Sequence, residues 1–223
     1  MGRLIGIDEA GRGPVLGPLV MAAVAVTSEQ EAELSGFGIQ DSKKYGSGKK
    51  AKEARLAVRP AILSRCTWRI ITYSPEVIDS YVKRGALDDL EREGALQLLD
   101  EIGAGSEDDI ICDGEPIFGQ LRMKWGNLRA ENKADGRYLC VSAASILAKV
   151  ARDERMDEIL RKYEAEFGKI PGGGYVNAGT RRFLEAYEAT HGTLPPEARK
   201  SWTWREKPKF ADGPDIADML NDA

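Results

Sequence analysis

Four acids in this chain stand at the ends of apolar segments. Asp8 and Glu9 close the run Leu4-Ile5-Gly6-Ile7, and Asp113 closes Ile110-Ile111-Cys112. Asp135 lies between a third apolar segment, at 128–132, and a long helical pattern. Charge next to a buried segment needs a partner, because desolvating it is costly. If the strands carrying them are neighbours, the four carboxylates converge at one edge of the sheet. Two like charges ~4 Å apart repel by roughly 4 kcal/mol at an effective dielectric near 20, so such a group calls for a proton or a cation. The only histidine is His191, and the three cysteines, Cys66, Cys112 and Cys140, contain no Cys-x-x-Cys pair. Oxygen donors without imidazole or thiolate favour Mg²⁺ or Mn²⁺. Two such ions about 3.5 to 4 Å apart activate a water and stabilise a leaving oxygen, which suits phosphodiester hydrolysis. The competing reading of each acid is a helix cap or a solvated surface group, the ordinary fate of acids.

Directly after the first acid pair comes Gly11-Arg12-Gly13-Pro14. Two glycines after a strand hint at a dinucleotide-binding turn, but that motif needs a helix opening on the glycines. Pro14, Gly17 and Pro18 spoil such a helix, position 16 is leucine, and the P-loop pattern is absent. The glycines are better suited to letting the backbone approach another molecule closely.

These residues must be held by the elements around them. Residues 3–8 read as a buried strand, 11–18 as a Gly/Pro turn, and 19–26 as a second strand or a buried helix. Residues 67–73 form a third strand by β-propensity, 109–112 a fourth, and 128–132 a fifth. Leu87, Leu90, Leu98, Leu99 and Ile102 recur at helical spacing until Gly103 stops the run. The longest helix is predicted over 141–167, with an apolar stripe through Ile146, Val150, Ile159, Tyr163 and Phe167. Ala143, Ala144 and Ala148 would let its first half pack closely. Gly172-Gly173-Gly174 reads as a flexible break, and Thr180 as the N-cap of a helix through Tyr187. Strands first and helices later fit an α/β layer with a helical C-terminal appendage.

The chain has 223 residues, 42% hydrophobic, with a formal net charge of −4. That suits one large domain, or one with an appendage, and argues against a general DNA-coating protein. Charge is uneven: residues 43–59 hold seven Lys and Arg against one acid, Glu53, and a local basic patch can still bind a polyanion. No apolar run reaches the roughly 18 to 20 residues of a membrane span, and the N-terminus is too short and too soon acidic for a signal peptide. The expected location is cytoplasmic. The cysteines read as buried free thiols, and 206–223 as a frayed polar tail.

Asp8-Glu9-Ala10-Gly11-Arg12-Gly13-Pro14 resembles the opening motif of the ribonuclease HII family, type 2 ribonucleases H. Other matches follow in the family's order: Asp41-Ser42-Lys43-Lys44, Asp113-Gly114, Lys133-Ala134-Asp135, the helix signature from Val141 to Asp153, Gly172-Gly173-Gly174-Tyr175 and Arg199-Lys200-Ser201-Trp202. The resemblance spans about 3–204. The contexts of Asp135 and Leu194-Pro195-Pro196 lean toward the archaeal and eukaryotic branch.

The resemblance implies a ribonuclease H-like mixed β-sheet flanked by helices, with a C-terminal helical subdomain: a catalytic domain over 1–168, the subdomain over 169–205 and a tail over 206–223. It implies that Asp8, Glu9, Asp113 and Asp135 bind the two Mg²⁺ or Mn²⁺ ions. The Gly11-Arg12-Gly13 backbone would read the ribose 2′-hydroxyl, Tyr175 would stack on the sugar beside the scissile phosphate, and Lys43 and Lys44 would hold phosphates. The expected partners are RNA/DNA hybrids and DNA duplexes containing ribonucleotides, with no membrane and a monomeric chain. No C-terminal sliding-clamp motif is present. Gly173, Leu139, Gly136 and Val176-Asn177-Ala178 depart from the family's pattern without removing a catalytic group, and they put rate and junction preference in doubt. Beside these readings, Lys49 to Arg59 fit a solvated helix face, His191 a structural or surface role, and Trp202 and Trp204 a dock for the C-terminal element. A catalytically silent nucleic-acid-binding module is the alternative function.

Overall fold

The computed structural model describes residues 2–39 and 48–205. Strands β1 (Leu4–Ala10), β2 (Leu19–Val26), β3 (Thr67–Tyr73), β4 (Asp109–Asp113) and β5 (Leu128–Glu131) form one sheet in the order β3-β2-β1-β4-β5. β2 is antiparallel to β1 and β3, while β4 runs parallel to β1 and β5 parallel to β4. The open choice at 19–26 resolves to a strand. All eight of its residues are buried, as expected of a central strand covered on both faces. The parallel part decides the site. Ile7 sits opposite Cys112 and Asp113 opposite Glu131, so the chain leaves β1, β4 and β5 at the same end of the sheet.

Helices α1 (Ser28–Ser35), α2 (Gly48–Arg65), α3 (Pro75–Val82), α4 (Leu87–Glu101), α5 (Glu115–Phe118), α6 (Leu139–Phe167) and α7 (Ala178–His191) complete the described chain. Helices α4 and α6 follow the predicted spacing closely. Helices α1, α2 and α3 precede β3 or β4, so the order is not strands followed by helices. α2 buries only Ala51, Ala61 and Ile62, too few apolar positions for a visible stripe. Its cations are not simply solvated: Lys52 pairs with Asp157 (2.5 Å), Arg55 with Asp153 (3.0 Å) and Arg59 with Glu154 (2.5 Å), all on α6. The N-cap of α7 is Asn177, not Thr180. The Asn177 carboxamide oxygen accepts from the Gly179 and Thr180 N–H groups at 2.9 and 3.0 Å. Both residue types cap helices, and only the extended backbone of Asn177 puts it in range.

One face of the sheet packs Val20, Ala22, Val24 and Ile111 on α6, and the other packs Ile5, Ile7, Met21 and Ala23 on α4. Gly6 sets the distance to α6, because a Cβ there would lie 2.3 Å from the backbone of Cys140 and Val141. A third cluster joins Val15 and Leu16 to Met156, Tyr163, Phe183 and Leu184. Trp204 is buried in it and Trp202 packs at its margin, so the two tryptophans dock the last described segment. The three glycines at 172–174 all have positive φ. Instead of a loose break they make a turn, with the Gly174 carbonyl accepting from Val15 and Leu16 N–H at 2.9 and 3.2 Å. Cys112 and Cys140 are buried free thiols, and Cys66 is half-buried. His191 faces Glu166 at 3.2 Å near the surface. Among the described residues no helix is long and apolar enough to cross a membrane.

Candidate active site

Side chains alternate along a strand, so Asp8 and Glu9 leave β1 on opposite faces. Asp8, buried, turns to the α6 face. Its carboxylate accepts from the Glu9 N–H at 2.8 Å, with Ser145 as a second hydrogen-bond partner and the Lys149 ammonium nearby. Asp113 ends β4. Its Oδ1 accepts from the Ala134 N–H at 3.0 Å. That N–H is presented by Lys133, whose φ of 61° is the only positive value on a described non-glycine residue. The turn leads into a single 3₁₀ turn, Ala134–Gly136, that holds Asp135 buried. One carboxylate oxygen from each of Asp8, Asp113 and Asp135 lies within 4.8 Å of the others.

Burial pushes the Asp8 carboxyl up to about 7, Asp113 adds to the rise, and Ser145 and Lys149 oppose it. Burial also raises Glu9 well above the usual carboxylate range, with Asp8, Glu91 and Asp113 adding to it. Glu9 stands outside the three-acid group, and its Oε2 is buried without a hydrogen-bond partner among the described residues. An arrangement of oxygen donors that resists holding its own charge fits a hard divalent cation.

The turn after β1 is held from two sides. The Arg12 guanidinium reaches α4, donating to Glu91 at 2.7 Å and Asp88 at 2.6 Å. Glu91 is fully buried, which pushes it up to about 7 against the pull of Arg12. From the C-terminal element, Arg199 donates to the carbonyls of Gly17 (3.0 Å), Arg12 (2.8 Å) and Gly11 (2.5 Å). Asp79 of α3 in turn accepts from the Lys200 and Ser201 N–H groups at 2.8 and 3.1 Å. With those carbonyls drawn inward, the Arg12 and Gly13 N–H groups find no acceptor among the described residues. Tyr175 is 52% exposed. Its ring lies 5.5 Å from the Arg152 guanidinium and borders Gly13. Glu9, the Gly11–Gly13 turn, Lys149, Arg152 and Tyr175 share the wall of a cavity of about 510 Å³.

The fold thus gathers three of the four expected acids, and sets Glu9, the glycine turn and Tyr175 around an adjoining cavity. Lys43 and Lys44 lie outside the described residues. Ser145, Lys149, Arg152 and Arg199 fall within motifs named from the sequence but were given no role there, and Glu91 was not singled out. The first three are spaced four and three apart on α6, a single helical face that was readable in principle. Glu91 and Arg199 stand 79 and 187 positions from Arg12, so nothing local links either to that turn.

The family model described as Ribonuclease HII matches residues 5–205. Ribonuclease HII of Thermococcus onnurineus is 37% identical over 214 residues, covering 92% of this chain and 89% of that protein. Among solved structures, the PCNA:RNase HII complex from Archaeoglobus fulgidus superimposes with a TM-score of 0.73 at 30% identity, covering 93% of this chain and 98% of that one. The ribonuclease H2 of Pyrococcus horikoshii OT3 gives 0.72 at 26% identity, covering 90% and 93%. The expected lean in branch agrees with these archaeal relatives.

Proposed function

The chain belongs to the ribonuclease HII family of type 2 ribonucleases H, which are endoribonucleases, and from that premise we propose that it nicks DNA duplexes 5′ of an embedded ribonucleotide as well as cutting the RNA strand of RNA/DNA hybrids. The products are a 3′-hydroxyl and a 5′-phosphate. The observation that carries the reading is the mutual approach of Asp8, Asp113 and Asp135 beside a cavity lined by Glu9, Gly11–Gly13 and Tyr175.

In this reading Asp8, Glu9, Asp113 and Asp135 hold two divalent ions, Mg²⁺ or Mn²⁺. When bound, such ions supply Lewis acidity and offset the charge that develops on the phosphate. The rest falls to the chain. The Arg12 and Gly13 N–H groups meet the 2′-hydroxyl, which only a ribonucleotide carries. Arg199, Glu91 and Asp88 keep that turn in place before substrate arrives, so its ordering costs nothing on binding. Tyr175, exposed beside Gly13, stacks on the neighbouring sugar, and Arg152 steadies its ring. Lys43 and Lys44 hold phosphates and set register without reading sequence. Residues 1–168 act as the catalytic domain and 169–205 as a helical subdomain that supplies Tyr175 and Arg199. The reading includes no clamp partner, on sequence pattern alone; the Archaeoglobus complex makes a binding titration with PCNA the direct check.

The test is incubation with Mg²⁺ or Mn²⁺ and two substrates, a hybrid and a DNA duplex with one ribonucleotide. A nick 5′ of the ribonucleotide is expected. Folded protein that leaves both substrates intact overturns the reading, and cutting only the hybrid removes its finer half.

A further inference from the structure

Two guanidinium groups, one from α2 and one from α6, line the same cavity. Arg55 and Arg152 both line the space of about 510 Å³. The Arg55 side chain is 13% exposed and pairs through Nη2 with Asp153 at 3.0 Å, while its Nε is buried with no acceptor among the described residues. Arg152 is only 6% exposed. Its Nη2 donates to the Gly173 carbonyl at 2.7 Å, and among the described residues its Nε has no acceptor and no carboxylate is in hydrogen-bond contact with it. A buried cation whose one hydrogen bond goes to a neutral carbonyl is costly, and the Tyr175 ring 5.5 Å away offsets only part of that. The third guanidinium in that wall, Arg12, is already matched by Glu91 and Asp88. The wall itself carries four cations, Arg12, Arg55, Lys149 and Arg152, against two acids, Glu9 and Asp153.

We propose that Arg55 and Arg152 form a subsite for one backbone phosphate of the bound duplex, with Asp153 holding Arg55 until that phosphate takes its place. The proposal rests on the nucleic-acid substrate proposed above and adds a contact to it. A guanidinium fork matches two phosphate oxygens as well as two carboxylate oxygens, so the exchange is one ion pair for another. Because Gly13 and Tyr175 line the same cavity, the phosphate belongs to the strand lying against them. Lys52 and Arg59 keep Asp157 and Glu154, so α2 stays docked when Arg55 turns.

The test measures hybrid binding by anisotropy across a salt series, with chelator present to prevent cleavage. Arg55→Gln is expected to weaken binding about eightfold near ~0.1 M salt and to lower the slope of log K against log salt by about one, the counterion release of one phosphate. Asp153→Asn, which frees Arg55, is expected to tighten binding, and the gain is expected to vanish in the double variant Arg55→Gln/Asp153→Asn. Arg152→Gln should act like Arg55→Gln, but it also loses the Gly173 contact, so the double-variant cycle is the deciding measurement. Thermal unfolding without nucleic acid checks that each variant is folded. A wild-type salt slope in Arg55→Gln, or a gain from Asp153→Asn that persists without Arg55, overturns the subsite. So does stabilisation by millimolar inorganic phosphate over matched chloride with duplex binding unchanged in Arg55→Gln, which marks a site for the free ion. A wild-type protein that neither binds nor nicks either substrate fails at the earlier reading instead.

Discussion

The two ends of β1 handle charge in opposite ways. At the start of the strand, Asp108 is nearly as buried as Asp8. It accepts from the Arg3 N–H (2.8 Å), Nε (3.3 Å) and Nη2 (2.7 Å), and from the Gly105 N–H (3.0 Å). Its carboxyl is pulled down to about 2, chiefly by the Arg3 hydrogen bond. At the other end Asp8 has a backbone N–H and Ser145 for close partners and Lys149 nearby, but burial outweighs them, Asp113 and Asp135 crowd it, and it is pushed up. One end is internally neutralised and serves the fold. The other leaves its charge unresolved, and so keeps a place for a cation. The contrast teaches that burial alone does not mark a functional acid; crowding by other carboxylates does.

The largest expected effect separates the ends by activity. Asp8→Asn or Asp113→Asn should lower nicking by more than about 100-fold with the fold intact, since even outer partners of a metal site cost about 10- to 100-fold. Asp108→Asn should leave turnover near wild type. Near-normal nicking by Asp113→Asn would remove it from the site and break the contrast.

Stability should show the reverse. Asp108→Asn leaves Arg3 without its charged partner and is expected to cost about 1 to 3 kcal/mol, a drop of roughly 2 to 12 °C in Tm for a domain of this size. Asp8→Asn in chelator should be neutral or stabilising, because it removes a buried acid beside two others. Equal losses at both positions would mean that the ends do not differ in kind.

Divalent ions sharpen the comparison further. Mg²⁺ or Mn²⁺ should raise Tm of the wild type, by about 2.7 kcal/mol of stabilisation at 100 times Kd, and of Asp108→Asn alike, but not of Asp8→Asn. A shift that survives in Asp8→Asn would place the ion elsewhere.

The smallest effect is in pH, measured without metal. Asp108 is held below its ordinary value, so its stabilisation is present above the unfolded value of 3.8 and lost as pH falls through about 2. Asp8 is raised, so its contribution is present below 3.8 and lost as pH climbs through about 7. Denaturant midpoints should therefore fall at both extremes, the acid limb flattening in Asp108→Asn and the neutral limb in Asp8→Asn. Swapped limbs would reverse the assignment.

Much of the fold is legible from residues alone. Strands β1, β3 and β4 are, because β-branched runs between turn residues leave few alternatives, and so are α4 and α6, whose apolar spacing is regular; β2 reads equally as a buried helix, and β5, Leu-Arg-Ala-Glu, carries no β-branched residue. Helices α1 and α2 are not, since they lie on the surface by charge and caps: Thr27 and Gln30 close a capping box on α1, and α2 sits on α6 through ion pairs; α3 is too short for its apolar side, Ile78 with Tyr81 and Val82, to stand out. The N-cap of α7 falls three positions before the expected Thr180, a choice between two residues of similar capping power.

For the site, the sequence by itself determined the chemistry available. It supplied oxygen donors without imidazole or thiolate, a glycine turn that excludes a dinucleotide helix, and an aromatic after three glycines. Only the tertiary structure decided which of these groups meet. Strand alternation put Glu9 on the face opposite Asp8, and the parallel pairing of β1 with β4 brought Asp113 beside Asp8. Lys133, in a left-handed turn, aimed the Ala134 N–H at Asp113. Arg199, 187 positions from Arg12 along the chain, fixed the turn that follows the acids. Local physics reads from neighbours in sequence, whereas charge matching and backbone clamps are made between segments that only the fold makes neighbours.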